Sequence, residues 1–414
     1  MFRFIHTADI HLDSPLRGLN SHADAPIDQI RGASRRALES IVELAIDNQV
    51  HFLLIAGDLY DGDWPDFSTG LFFNQQMNKL KEANISVYLI TGNHDAASKI
   101  TKSLKPPANV TTLSSKKPES IIIQDLSVAI HGQGFATQSV PENLAITYPE
   151  ALADHFNIGM LHTSLTGNID HDPYTPCSLD DLASKGYDYW ALGHIHKHEV
   201  VSKNPHVVYA GNPQGRHIRE CGERGCYLIE VNDGLEIDKL DFLTTDQIRW
   251  QHLEINLTTA EEDDDLRELI SRNISSALQS AQGRLLAIRI TLFGDTHLHD
   301  QLHAEQAQWF AECQSIAEEI DGANIWLERL RLKTKPTYDP QELAERDELT
   351  KLVLDALGEF SPSKVPSPVA QLSSKLAGVN NQELKELLTL DDEDEQLKED
   401  VTAIVLQSIS SSAH

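Results

Sequence analysis

From the N-terminus to about Asp241, short apolar runs alternate with segments of helical periodicity, and this alternation confines the chain to the α/β class. The runs that read as strands are FRFIHTA, HFLLIAGD, ISVYLITGN, SIIIQD, SVAIHG, NIGMLHT, YWALGH, HVVYAGN and GCYLIEV. Between the first two, Leu38, Ile41, Val42, Ala45 and Ile46 recur at helical spacing. Between the next two, STGLFFNQQMNKLKEA contributes Leu71, Met77 and Leu80. The expected architecture is a sheet covered by helices on both faces.

A second unit follows, from about Leu253 to Lys335: strand LEINL, a helix after the acidic run EEDDD, strand LLAIRITLFG, helix AEQAQWFAECQSIAEEI and strand IWLERLRLKT. That β-α-β-α-β order predicts a small two-layer α/β domain. Pro336 and the Asp339-Pro340 pair interrupt the pattern, and helical spacing resumes at Leu343, Leu349, Leu352, Val353, Ala356 and Leu357. SPSKVPSP reads as a linker, followed by an acidic run and a last helix with Leu397, Val401, Ile404 and Val405 on one side. The expected divisions are 1–245, 250–336 and a helical tail over 337–414.

A chain of 414 residues has room for two or three such units. The N-terminal MFRFIHTADIH lacks the basic and apolar regions of a signal peptide, and no stretch approaches the length of a membrane span, so the expectation is a soluble, cytoplasmic protein without membrane contact. Cys177, Cys221, Cys226 and Cys313 have no zinc-knuckle spacing and read as reduced thiols. The formal net charge of −29 argues against a protein that coats nucleic acid through its own basic surface. It leaves room for a site that meets phosphates through metal ions, because cations among carboxylates make a locally positive spot.

The predicted strand ends carry the chemistry. They give Asp9 and His11, then Gly57-Asp58, then Gly92-Asn93-His94-Asp95, then His162, then Gly193-His194-Ile195-His196. Strand alternation would turn Asp9 and His11 the same way and His6 the other way, into the core or toward a neighbouring strand. In an open α/β sheet, sites assemble at the C-terminal ends of strands. A two-metal centre needs a bridging carboxylate to hold cations roughly 3.5–4 Å apart, completed by neutral nitrogen and oxygen donors that leave net positive charge for a phosphodiester. The glycines before Asp58, Asn93 and His194 would let the backbone pass close to such ions.

These elements, D-x-H, G-D, G-N-H-D, H and G-H-x-H in order over the first half of the chain, resemble the calcineurin-like metallophosphoesterases. Within them, FRFIHTADIHLDSPLRGL, LLIAGDLYDGDWP, ITGNHD, ALGHIHKHEV and YAGNPQGRHIRE are similar to the SbcD-like, and especially the YhaO-like, DNA-repair nuclease branch, whose capping domain the second unit resembles. The resemblance implies a metallophosphoesterase β-sandwich flanked by helices. It implies two divalent metals, Mn2+ first among them, one held by Asp9, His11, Asp58 and His196 and the other by Asp58, Asn93, His162 and His194. Hydroxide between the ions would attack a DNA phosphodiester. His94 would face the scissile phosphate without binding metal, and Asp95 would orient its imidazole. The implied partners are DNA, an SMC-like ATPase of SbcC/YhaN type gripping the C-terminal helices, and a second copy joined near the N-terminal domain.

Arg216 and His217 either reach substrate phosphate or serve structure, and His131 is a lower-ranked cleft residue. His198 reads as exposed, His297 and His299 as a loop, and Trp64 and Phe67 as packing residues rather than base-stacking ones. One departure stands out: the nuclease branch often has histidine three residues after the GD aspartate, where this chain has Asp61. The alternatives are a metallophosphoesterase acting on nucleotides or phosphoproteins, and a scaffold subunit with weak catalysis.

Overall fold

The computed structural model describes residues 1–14, 26–61, 67–97, 104–165 and 175–338, without the side chain of Asp28. The chain divides into two compact units, Met1–Gln251 with Gly283–Ala287, and His252–Gln282 with the residues from Ile288 onward. Most of the expected tail, from residue 339, lies outside the described residues.

In the first unit, β1 (Phe2–Thr7), α1 (Ile27–Arg31), α2 (Ala33–Asp47), β2 (Phe52–Ala56), α3 (Ser68–Glu82), β3 (Ser86–Ile90), α4 (Asn93–Ala97) and β4 (Val110–Thr112) come first. Next are β5 (Glu119–Ile123), β6 (Val128–Gly132), β7 (Phe156–His162), α5 (Leu179–Ala183), β8 (Tyr189–Gly193), β9 (Glu199–Lys203), β10 (His206–Tyr209), β11 (Gly225–Val231) and β12 (Ile237–Thr244). Periodicity alone predicts one sheet. There are two, each of six strands, in the orders β12-β11-β1-β2-β3-β4 and β5-β6-β7-β8-β10-β9. β1 to β4 run parallel, as do β6, β7, β8 and β10, with antiparallel strands at the margins.

The two sheets face each other over a core of Phe2, Phe4, Phe52, Leu54 and Tyr88 from the first and Ile130, Phe156, Ile158, Met160, Tyr189 and Val208 from the second. The Phe4 and Phe52 rings stack at 5.0 Å, and Tyr189 meets Phe4 edge-on at 5.4 Å. The outer face of the first sheet is covered by Leu38, Ile41 and Val42 of α2 and Phe73, Met77 and Leu80 of α3. Tyr148 and Leu182 pack with Trp190, Leu192 and Val207 on the outer face of the second. The central strands are therefore buried on both sides, which explains why they read as continuous apolar runs instead of alternating ones. It also explains why one sheet and two are alike to a periodicity argument. His6 points into this core, where its Nδ1 lies 2.9 Å from the Tyr189 hydroxyl across the sandwich.

Two stripe residues are displaced from expectation. Leu71 is 57% exposed and Ile46 is 36% exposed, because α3 turns Phe73 inward instead and α2 stops its buried face at Ala45. Three strands escaped the sequence reading, β4, β9 and β12, and all three lie at sheet edges, where partial exposure leaves no hydrophobic pattern to detect.

A three-stranded sheet follows, most of it in the second unit, in the order β13 (Ile248–Asn256), β14 (Leu285–Thr296) and β15 (Ile325–Pro336), with α6 (Asp263–Ala281), α7 (His299–Ala304) and α8 (Gln306–Asp321). The acidic run serves the start of α6: Glu262 and Asp265 form a capping box, and three aspartates complement the positive end of the helix dipole. The short α7 is an addition to the expected order. It forms because His299 and His303, one turn apart, both bury their rings against the Thr334 hydroxyl, at 2.9 and 3.2 Å. His299 is thus a buried helical residue, not part of a loop. No described helix is long and apolar enough to cross a membrane.

Phe4→Ala should cost about 3–5 kcal/mol of stability by removing a fully buried ring between the sheets, whereas Leu71→Ser should stay within about 0.5 kcal/mol. Urea denaturation of the two variants checks this, and a Leu71 loss as large as that of Phe4 would contradict the exposed placement.

Candidate metal centre

β1 ends at Thr7, so strand alternation does not aim Asp9 and His11. Both lie beyond the strand in the left-handed region, with φ of +50° and +45°. Their segment runs beside the one after β2, with Asp9 N–H donating to the Gly57 carbonyl at 3.0 Å and His11 N–H to that of Asp58 at 3.1 Å. Asp58 and His194 also have positive φ, +49° and +95°. Strained non-glycine backbone concentrated at four such residues marks a place where geometry is held for function.

The site straddles the C-terminal ends of both sheets. Asp9, His11, Asp58 and Asn93 follow β1, β2 and β3, while His162 closes β7 and His194 and His196 follow β8. Donor atoms of Asp9, His11 and His196 lie within 4.8 Å of one another, as do those of Asp9, Asp58 and His162, and those of His11, Asp58 and His94. Two of the three sets contain Asp58, whose Oδ2 is 3.3 Å from His162 Nε2 and 3.9 Å from His11 Nε2, and the third joins them through Asp9 and His11. His11 and His196 bring their Nε2 atoms to 3.2 Å, and the Asn93 carboxamide oxygen is 3.0 Å from His162 Nε2. His194 donates its backbone N–H to both Asp9 oxygens, at 2.9 and 3.1 Å, and its ring lies 5.3 Å from that of His162.

The tautomers follow from the partners. His162 Nδ1 lies 3.0 Å from the Ala56 carbonyl and His196 Nδ1 lies 2.7 Å from a Glu220 carboxylate oxygen. Both oxygens only accept, and the Glu220 oxygen stands nearer to His196 Nδ1 than the Arg216 Nη2 donor at 3.3 Å, so each Nδ1 carries hydrogen and, in the neutral ring, each Nε2 presents a lone pair to the site. Lone pairs of His162 and His196 thus converge with buried carboxylate and carboxamide oxygens, a donor set that repels itself unless a cation sits among it. Burial pulls the His162 pKa down, yet Asp58, Asp9 and the Ala56 carbonyl outweigh it and lift it to about 9. Burial alone would push Asp58 up, but His162 and His94 hold it below the carboxylate range. The pocket favours positive charge, and its mixture of imidazole, carboxylate and carboxamide suits a borderline divalent metal.

Two of the glycines are needed for space more than for turning. A Cβ at Gly193 would stand 2.0 Å from the Ala56 carbonyl oxygen and 2.9 Å from His162 Nδ1, and one at Gly92 would stand 2.2 Å from Asp58 Oδ1. Backbone therefore approaches the liganding groups themselves.

Asp95 does not orient His94. Its buried carboxylate accepts backbone N–H groups of Leu59, Tyr60 and Gly92, tying the loops after β2 and β3 together. The carboxylate on His94 is that of Asp61, 2.6 Å from Nδ1. Burial lowers the His94 pKa, but Asp61 and Asp58 raise it to about 9, whereas Asp61, drawn up by burial, is brought to about 2 by His94, Ser14 and Arg216. His162 is lifted in the same way but is fully buried, whereas the His94 side chain is 29% exposed, and a charged ring at that open edge is a good phosphate contact. Arg216 reaches Asp61 at 3.8 Å and Glu220 at 3.3 Å, while His217, half-exposed, comes no closer than 3.9 Å to Glu220.

Glu220 is the residue that sequence reasoning missed. It closes the GNPQGRHIRE stretch, as a lone acid after three bases, and that charge pattern was the available signal. His131 is engaged by Ser120 and Asn157 and stacks on Tyr187 at 4.6 Å. His198 is half-buried rather than exposed, with its ring 3.8 Å from that of Phe242. Phe67 is 52% exposed, so it does not pack, and Trp64 lies outside the described residues.

Residues 2–198 match the family of calcineurin-like phosphoesterases, and residues 250–335 match the middle domain of metallophosphoesterase YhaO. An uncharacterized metallophosphoesterase YhaO of Bacillus subtilis is 37% identical over 296 residues, which cover 70% of this chain and 71% of that protein. The chain belongs to the calcineurin-like metallophosphoesterases. The DNA double-strand break repair protein Mre11 of Methanopyrus kandleri is 24% identical over 56% of this chain and 54% of its own length. Among solved structures, TT1561 of Thermus thermophilus is similar over 59% of this chain and 99% of its own, at 15% identity and a TM-score of 0.33.

Asp58→Asn should lower metal content throughout the cluster rather than at one point, because this carboxylate stands between His11 and His162. Elemental analysis of the purified variant after dialysis against Mn2+ checks it, and one ion retained at full occupancy would contradict the sharing.

Proposed function

We propose that this metallophosphoesterase is a two-metal DNA phosphodiesterase, the nuclease subunit of an SbcCD-like end-processing complex. Asp9, His11, Asp58 and His196 would hold one divalent ion, and Asp58, Asn93, His162 and His194 the other. The observation that carries the two-ion reading is the single Asp58 Oδ2 atom lying near both His11 and His162. Bound divalent ions would supply positive charge for the phosphoryl oxygens and acidify a water molecule; manganese suits the donor set.

The chain's own residues do the rest. Asp58 and Asp9 anchor the donor groups, Ala56 and Glu220 fix the tautomers of His162 and His196, and Asp61 keeps His94 charged with Nδ1 engaged. The His94 Nε2–H is then free to hydrogen-bond a non-bridging phosphate oxygen or the departing one.

DNA as substrate is supported by the similarity to Mre11 and by a feature of the second unit. Arg331, Lys333 and Lys335 alternate with buried Leu330, Leu332 and Thr334 along β15, so three cations follow one another at strand spacing, roughly 6–7 Å apart, in a chain of net charge −29. A row of this kind suits a polyanion. The similarity to the SbcD-like branch supports a homodimer and an SMC-like ATPase partner, the latter on the C-terminal apolar stripes, which lie outside the described residues. The observation that favours a smaller phosphoester is Asp61 on His94, where the nuclease branch often has histidine. Rates on a cyclic nucleotide and on linear DNA, compared with Mn2+ present, separate the two readings. Digestion of end-labelled and circular DNA with Mn2+, with and without the ATPase, tests the proposal.

His94→Ala should keep metal content and lower cleavage by about 10²–10³-fold, since it removes a contact made to the reacting phosphate and not a ligand. Loss of an ion from this variant would reassign His94. Replacing Arg331, Lys333 and Lys335 together by Gln should weaken DNA binding at all sequences and flatten its salt dependence, by about one unit of slope per lost phosphate contact, with metal content unchanged. An unchanged salt slope would remove β15 from the DNA surface.

A further inference from the structure

Behind the metal-facing histidines stands a second layer of charged groups that the proposed reaction does not itself consume. Glu220 is 6% exposed, and every oxygen of its carboxylate is used. Oε1 lies 2.7 Å from His196 Nδ1, and Oε2 accepts from the Arg216 backbone N–H at 2.7 Å and from Asn212 Nδ2 at 2.9 Å. Asn212 is itself fixed by Arg224, whose Nη1 donates to its Oδ1 at 3.0 Å and also to the His196 carbonyl. The guanidinium of Arg216 then runs from Glu220 Oε1, at 3.3 Å, to Asp61 Oδ2, at 3.8 Å, and Asp61 holds His94.

We infer that Glu220 is a positioning residue for the metal centre: it locks His196 in the tautomer that presents Nε2 to the ion, and through Arg216 it sets the Asp61–His94 pair on the same frame. The inference rests on the metal-binding reading above. Three donors fix the carboxylate from behind, so the imidazole cannot rotate without breaking a buried hydrogen bond to a charged acceptor, which would leave that acceptor under-satisfied. A carboxylate on Nδ1–H also makes Nε2 more basic toward a metal, and loss of such a partner weakens metal affinity by about 10–100-fold. Glutamine in its place would be neutral, and its amide nitrogen would face the N–H donors of Arg216 and Asn212, so Glu220→Gln removes the effect with almost no change of volume.

Two measurements test this. In metal-free wild type carrying ¹⁵N-labelled histidine, with His196 assigned by difference from a His196→Ala sample, the ring should be the Nδ1–H tautomer. An Nε2–H tautomer overturns the inference without needing any variant to fold. In Mn2+ titration calorimetry, Glu220→Gln should lose affinity by about 10–100-fold at one ion while the other binds as in wild type. Wild-type affinity at both ions in a folded variant overturns it. Wild type that binds no Mn2+ at all would instead overturn the metal-binding reading, and the tautomer result would still decide the role of Glu220.

Discussion

Two carboxylates, Asp9 and Asp58, lie at the junction of the two sheets with essentially no exposure to water. Buried charge of this kind is costly unless it is compensated nearby. The surroundings answer that cost in two ways. Backbone N–H groups of His94 and His194 donate to Asp58 and Asp9, and four imidazoles crowd around the remaining lone pairs. Positive charge placed within that ring of donors would complete the compensation.

The sandwich makes the arrangement possible. In each sheet, four adjacent parallel strands end at the same side, so their following loops meet without long excursions of chain. The first sheet contributes the acidic and carboxamide donors and the second the histidines His162, His194 and His196, and closing the sheets over the Phe4–Phe52–Tyr189 core brings the two halves together. Packing energy gained between the sheets therefore also sets the distances between these side chains. The strained turns at Asp9, His11, Asp58 and His194 are held by that packing and by the ladder between the loops after β1 and β2.

Much of this was readable in the sequence, because strand ends are punctuated by residue type. Gly57-Asp58, Gly92-Asn93 and Gly193-His194 each stand where an apolar run stops, and their side chains have little to do in a loop except meet a ligand. The second sheet was not readable from periodicity, since strands buried on both faces look the same whether helices or another sheet cover them. Edge strands β4, β9 and β12 carried no pattern. The exchange between Asp61 and Asp95 was hidden for a different reason: adjacency in sequence suggested Asp95 for His94, but the first turn of α4 sends that carboxylate into the backbone of the β2 loop. Asp61 arrives from that same β2 loop, and only the fold shows that it meets His94.

The most direct test of the account is an anomalous difference map from crystals of the protein grown with Mn2+. The account predicts two peaks that share Asp58, one against Asp9, His11 and His196 and the other against Asn93, His162 and His194. A single peak, or two peaks of which one lacks Asp58 among its contacts, would contradict it.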